Sequence, residues 1–292
     1  QATRFANLLD AGQEVSQQRL GVLYRDRSLG GELRARAFVT QRDFTQQLPF
    51  PGSSLIDYER LFYGVRLEYV DRVRAFGLAH RFLVGVDADQ QRDDRGRRSV
   101  NADGQVTGLT ADEDQTATAG GVFVQTDTDL SDTLTLSLGA RADRVRLDID
   151  DDLLADGDNS GDQDFTESSY SAGLNWRYHP RHGVYATVSN AFETPTFTEL
   201  ANPSGAGGFN PDLEPQKALN REIGGRGQLG DRLFYELALV RVALVEQHQI
   251  GQQGVDLRQA LFLRGGEIAD ALRWRHGPGG AQQCQFAAGG PF

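Results

Sequence analysis

The chain has 292 residues, 39% of them hydrophobic, and a formal net charge of −11, with a mean hydropathy of −0.47. No apolar run approaches the roughly 18 residues that a membrane-spanning helix needs, and the acidic balance speaks against a nucleic-acid binder. The single cysteine, Cys284, excludes an internal disulfide, and the lack of methionine and of a signal segment marks the chain as part of a longer protein.

Residues 1–14 read as a leading loop. Beyond them, period-two alternation between turn residues predicts strands near 15–27, 32–43, 58–71, 75–90, 116–130, 133–149, 167–179, 182–192, 216–229, 232–246 and 257–266. The connections at Ser28–Gly31, Asp71–Arg74, Ser131–Asp132, Pro180–Arg181 and Gly230–Asp231 read as tight turns. Those at 44–57, 91–115, 150–166, 193–215 and 247–256 read as long, polar loops. Short and long connections alternate, which is the wiring of a transmembrane β-barrel with tight turns at one end and loops at the other.

Within the strands one face is oily and the other charged. Leu134, Leu136, Leu138, Ala140 and Ala142 alternate with Thr133, Thr135, Ser137, Gly139, Arg141 and Asp143. Leu61, Tyr63, Val65, Leu67 and Tyr69 alternate likewise with Arg60, Phe62, Gly64, Arg66 and Glu68. A spanning strand needs roughly 9–11 tilted residues, and these stretches supply them. Periodicity alone does not distinguish lipid outside an oily face from a soluble core behind it. Aromatics beside the tight turns (Tyr24, Tyr69, Phe76, Trp176, Tyr178, Phe234 and Tyr235) favour lipid, as an interfacial girdle would. Past residue 142 the phase flips, since Val145, Leu147 and Ile149 take the other face. That predicts either a bulge or emergence above the lipid. The fold class is therefore all-β, an antiparallel up-and-down transmembrane barrel, present in part. The expected eleven strands are roughly half of a large barrel, and an odd number does not close in the usual bacterial pattern.

Residues 183–229 carry a more specific pattern: Gly183-Val-Tyr-Ala-Thr-Val-Ser-Asn-Ala-Phe-Glu-Thr-Pro-Thr-Phe-Thr-Glu-Leu200, then Asn210-Pro-Asp-Leu-Glu-Pro-Gln216, then Asn220-Arg-Glu-Ile-Gly224. Weaker support comes from Gly120–Gln125 followed by Leu136–Asp143, and from Arg81–Gly85 leading to Asp93–Arg95. Together these residues resemble the barrel of a TonB-dependent outer-membrane receptor, over about residues 15–266. The resemblance implies active uptake of a scarce small ligand (an iron-siderophore, haem, cobalamin or a glycan), energised by the TonB complex through an N-terminal plug not visible in these residues. It further implies outer-membrane lipid and lipopolysaccharide as surroundings. Gly224 is expected to leave room for another backbone such as a plug, and Arg221, on the lipid side, to sit near an interface. The Gly- and Pro-rich tail, 267–292, departs from the terminal aromatic strand of that family, and a truncation or frame slip near residue 268 is expected. A passive porin or structural barrel is the alternative.

Site chemistry is sparse. Arg95, Arg97 and Arg98 are candidates to meet an anionic ligand or a lipopolysaccharide phosphate. Asp156, Asp158, Ser160, Asp162, Asp164 and Glu167 have the spacing of a calcium loop with Gly161 at its sixth position. The predicted flanks are strands rather than helices, and residues 148–167 hold nine acids and no base, which also describes a solvated acidic loop. His179 and His182 flank a turn without a third ligand, so they do not read as a zinc site. No catalytic arrangement is recognisable, and no enzyme or other cofactor is expected.

Overall fold

A computed structural model describes residues 9–155, 157–200, 210, 212–231, 233–245 and 258–263. The strands are β1 (Gly12–Asp26), β2 (Glu32–Gln47), β3 (Gly52–Ala75), β4 (Leu78–Val100), β5 (Val106–Ser131), β6 (Leu134–Asp151), β7 (Gly161–His179) and β8 (His182–Glu193). One helical turn, α1 (Phe197–Leu200), precedes β9 (Gln216–Leu229), β10 (Leu233–Val245) and β11 (Arg258–Leu263). Each strand pairs antiparallel with the next, giving one 11-stranded sheet in chain order. Among the described residues β1 and β11 remain edges, so the sheet is an open wall. The tail, 267–292, lies outside the described residues.

All of the expected strands form, but three expected loops are much shorter than their sequences suggest. The β2–β3, β4–β5 and β6–β7 connections span only 48–51, 101–105 and 152–160, because the strands run on well past the apolar stretch. Here both faces carry polar residues, so alternation disappears from the sequence while the hydrogen-bonded ladder continues. The β4–β5 hairpin closes on Asn101, whose side-chain oxygen accepts from the backbone N–H of Asp103 at 3.0 Å and of Gln105 at 2.9 Å. One tight turn also moves. β3 continues through Asp71–Arg74, and the chain reverses at Phe76 and Gly77, both at positive φ (54° and 78°), the geometry of a two-residue hairpin loop.

The two faces of the wall have opposite chemistry, and the oily one is exposed. Along β3, Leu61, Val65 and Leu67 are 41%, 59% and 45% exposed, whereas the inward carboxylates Glu68 of β3 and Asp93 of β4 are 5% and 4% exposed. A soluble protein arranges these the other way round. Because residues directly opposite in a ladder share a face, the pattern propagates across strands. The outward row Leu67, Val86, Val122, Ala142 lies one residue from the inward row Arg66, Asp87, Gly121, Asp143.

The phase flip in β6 involves no bulge. Its pairing with β5 and β7 is regular from Thr135 to Ile149. Arg144, Arg146 and Asp148 point outward, where Arg144 pairs with Asp164 at 3.2 Å and Arg146 with Asp148 at 2.8 Å. Val145, Leu147 and Ile149 point inward instead. Leu147 and Phe165 bury themselves there against Leu200 of α1, with Ala117, Val145, Phe197 and Leu213 around them. From Arg144 onward the faces therefore take the sense of a soluble protein, apolar side chains inside and charges outside.

Candidate functional site: the inner face

The chain after β8 is brought to the inner face by a local signal. Pro195 lacks a donor, so pairing stops at Glu193. Thr196 then caps α1: its hydroxyl accepts from the Glu199 N–H at 3.4 Å, and the Glu199 carboxylate accepts from the Thr196 N–H at 2.8 Å. This reciprocal capping box turns Phe197 and Leu200 onto Leu147 and Phe165. The Phe192–Leu200 stretch thus shapes the inside of the wall at its long-connection end.

Nearer the tight turns the inner face is knit by ion pairs. Arg141 reaches two strands away to grip Asp87 with two bonds, at 2.8 and 2.7 Å, and bonds Asp143 at 2.7 Å. Its guanidinium lies 5.4 Å from the centre of the Phe123 ring, with Arg66 at 4.6 Å. Arg66 in turn bonds Glu68 at 2.8 Å. The glycines opposite such groups are filled sites. A Cβ on Gly224 would lie 2.5 Å from the Tyr185 ring, so the room expected there for another backbone is taken by that ring, whose hydroxyl donates to Glu222. Gly85 stands in the same relation to Phe123, as glycines beside cross-strand aromatics do.

The candidate arginines separate. Arg95 and Arg97, two apart on β4, face inward, while Arg98 faces outward and is tied to Asp57. All three lie on a strand and not in a loop. Arg42, Tyr58 and Arg60, which sequence reading did not single out, lie on the same inner face beside Arg95. Their signal was present in the i, i+2 pairs Arg42/Phe44 and Tyr58/Arg60 on a charged strand face.

The structure does not bring the calcium-spaced residues together. Asp156 lies outside the described residues. Asp158 accepts from the Ser160 hydroxyl and backbone N–H, which holds its carboxyl below the usual carboxylate range. Because β7 is already extended at Gly161, Asp162 and Asp164 point outward to Arg146 and Arg144, at 3.4 and 3.2 Å. Glu167 lies on the opposite face, 2.9 Å from Lys217. Among the described residues no group of three or more His, Cys, Asp or Glu is placed to hold a metal.

At the tight-turn end the expected aromatic band is present at Trp176, Tyr178 and Tyr235, whereas Phe234, adjacent to Tyr235 on β10, takes the inner face. Trp176 and Tyr178 are half exposed with ring centres 5.7 Å apart, and His182 stacks on Tyr178 at 6.2 Å and on Tyr235 at 5.7 Å. His179 lies 5.1 Å from His182 within this cluster. Arg221 faces outward as expected, opposite Arg241.

Residues 3–242 match the family model described as TonB dependent receptor-like, beta-barrel. The vitamin B12 transporter BtuB of Vibrio vulnificus (strain CMCP6) is 34% identical over 80 residues, which are 26% of this chain and 12% of that protein. The ferric citrate transporter FecA, solved in its unliganded form, superposes with a TM-score of 0.67 over 83% of this chain and 36% of its own length, at 16% identity. The siderophore receptor PiuA from Acinetobacter baumannii gives 0.64 over 79% and 40%, also at 16% identity. At that identity the solved structures share the fold, and the chain spans well under half the length of these relatives. An exposed oily face, a charged inner face, an antiparallel meander and a family match over most of its length lead to one assignment: the chain belongs to the TonB-dependent receptor β-barrel family.

Proposed function

We propose that this chain is part of the wall of an outer-membrane receptor that takes up a scarce small molecule, such as an iron-siderophore, haem, cobalamin or a glycan, with energy supplied through TonB. The observation that carries the proposal is the family match over residues 3–242. The apolar band meets lipid, and the charged stretch above it, with Arg144 and Arg146 outward, meets the lipopolysaccharide layer. The inner face lines the passage. An open wall leaves unpaired amides and carbonyls at two edges, which lipid does not tolerate, so transport requires the rest of the parent protein. Growth on, or accumulation of, a labelled ligand by cells carrying the intact parent is expected to stop when TonB is deleted. Undiminished entry without TonB would instead support the passive porin.

The acidic segment around Asp158 serves, in this reading, as a solvated external connection. An Asp158→Ala, Glu167→Ala variant of the intact parent is expected to take up as much calcium as the parent, measured by equilibrium dialysis. A loss of one bound calcium per molecule would restore the calcium-loop reading.

A further inference from the structure

The outward apolar run shortens along the wall. On β3 it takes Tyr69, Leu67, Val65, Tyr63 and Leu61 before Glu59, and on β6 Leu134, Leu136, Leu138, Ala140 and Ala142 before Arg144. On β7 it takes Trp176, Leu174, Ala172 and Tyr170 before Ser168. β8 offers only Val184, Ala186 and Val188 before Asn190, and β10 only Tyr235, Leu237 and Leu239 before Arg241. Five alternate positions supply the roughly 9–11 residues of a tilted span. Three positions fall about four residues short of that, or about 13 Å of strand.

The short runs end on a pair of cations. Arg241 stands directly opposite Arg221 of β9, and Arg221 opposite Val188 of β8, so two guanidiniums leave the outer face side by side. Both are exposed, and among the described residues neither has an ion-pair partner. Arg144 and Arg146, the outward arginines that end the long run of β6, are by contrast paired with Asp164 and Asp148. Like charges directly opposite in a ladder repel. Around this pair the outer face is oily, with Ile223 and Leu239 59% and 51% exposed on the tight-turn side, and Leu219 opposite Ala243 on the other. A partner that suits both features carries an oxyanion on an apolar body, as a lipid phosphate does, and two guanidinium forks can share its oxygens. Sinking two unpaired guanidiniums into hydrocarbon is costly, whereas a short apolar band is met by thinning the bilayer at a small cost per ångström.

We propose that the outer face of β8–β10 thins the bilayer locally, with Arg221 and Arg241 holding the phosphate of an outer-leaflet lipid below its level on the β3–β6 side. The proposal rests on the outer-membrane reading above and adds the place and the partner. The intact parent receptor, otherwise free of cysteine, is placed in vesicles of phosphatidylcholine with a minor share of phosphatidic acid. Nitroxide labels at 142 on β6 and at 239 and 243 on β10 are read by relaxation with molecular oxygen and with a water-soluble nickel complex. Labels at 142 and 239 are expected to favour oxygen, and the label at 243 the nickel complex. In an Arg221→Leu, Arg241→Leu background the label at 243 is expected to turn to oxygen. Phosphatidic acid is also titrated into the detergent-solubilised parent and read by native mass spectrometry. Arg221→Gln and Arg241→Gln are each expected to weaken its binding about five-fold, while Arg226→Gln, on the inner face of β9, leaves it unchanged. Circular dichroism melting confirms that the variants are folded. Oxygen preference at 243 in the parent overturns the thinning, and equal phosphatidic acid binding by the parent and the Arg221→Gln, Arg241→Gln double variant overturns the phosphate site. A label at 243 shielded from both reagents would mean that another protein covers this face, which overturns the lipid assignment. Nickel preference at 142 and 239 as well would bring down the outer-membrane reading itself, and this proposal with it.

Discussion

Leu136→Arg in the intact parent receptor is expected to cost about 2–4 kcal/mol of barrel stability, the range for a lipid-facing arginine near the bilayer midplane. Leu136 belongs to an outward row that continues through the apolar Leu174, Ala186, Ile223 and Leu239 on one side, and on the other meets Thr128 and His80, which bond each other at 2.9 Å. A guanidinium there finds neither water nor a carboxylate. The neighbouring Ser137 faces inward, where its hydroxyl donates to Asp127 at 2.6 Å, and Ser137→Arg is expected to cost less than about 1 kcal/mol because it can pair in the lumen. Equilibrium urea unfolding in lipid vesicles measures both. Equal costs for the two variants would contradict the assignment of faces.

Arg141→Ala is expected to cost about 3 kcal/mol, at the low end of the range for breaking a buried pair. The Arg141 side chain is 32% exposed, but its partners Asp87 and Asp143 are only 15% and 11% exposed. Removing the guanidinium leaves two inward carboxylates without the cation that they share, and leaves Arg66 alone over the Phe123 ring. Most of the loss comes from those stranded charges and little from the pair itself. Arg141→Met combined with Asp87→Leu and Asp143→Leu is therefore expected to recover more than half of it in the same unfolding measurement. No recovery would mean that Arg141 acts through some contact other than these carboxylates.

Strand number and order were legible from the sequence because lipid imposes a strict rule on the Leu134–Ala142 stretch, where every second side chain must be apolar. The rule ends where the lipid ends. Arg92–Arg98 and Asp112–Gln115 therefore look like loop, although they are paired strand. The acids at 158, 162 and 164, with Ser160 between them, show the same ambiguity in another form. Alternate carboxylates are the spacing of a cation loop and also of one face of a strand, and from Gly161 onward the backbone is extended. The separation of Arg98 from Arg95 and Arg97 followed from strand parity once β4 was known to reach Val100. The filling of Gly224 by Tyr185 depends on the β8–β9 register, which no local sequence signal fixes. The capping box at Thr196 and Glu199 was readable as a motif, but its packing against Leu147 and Phe165 joins residues far apart in the chain.

The central claim is that one continuous strand passes from lipid into an aqueous exterior, with its faces inverted below that boundary and normal above it. Nitroxide labels placed one at a time along residues 134–149 of an otherwise cysteine-free intact parent receptor in vesicles test this directly. Accessibility is read as relaxation by molecular oxygen and by a water-soluble nickel complex. Labels at 134, 136, 138, 140 and 142 are expected to favour oxygen, and those at 144, 146 and 148 the nickel complex. Labels at 145, 147 and 149 should be shielded from both by the cluster around Leu200. Oxygen preference at the odd positions 135–141, or at none of the even ones, would contradict the membrane wall described here.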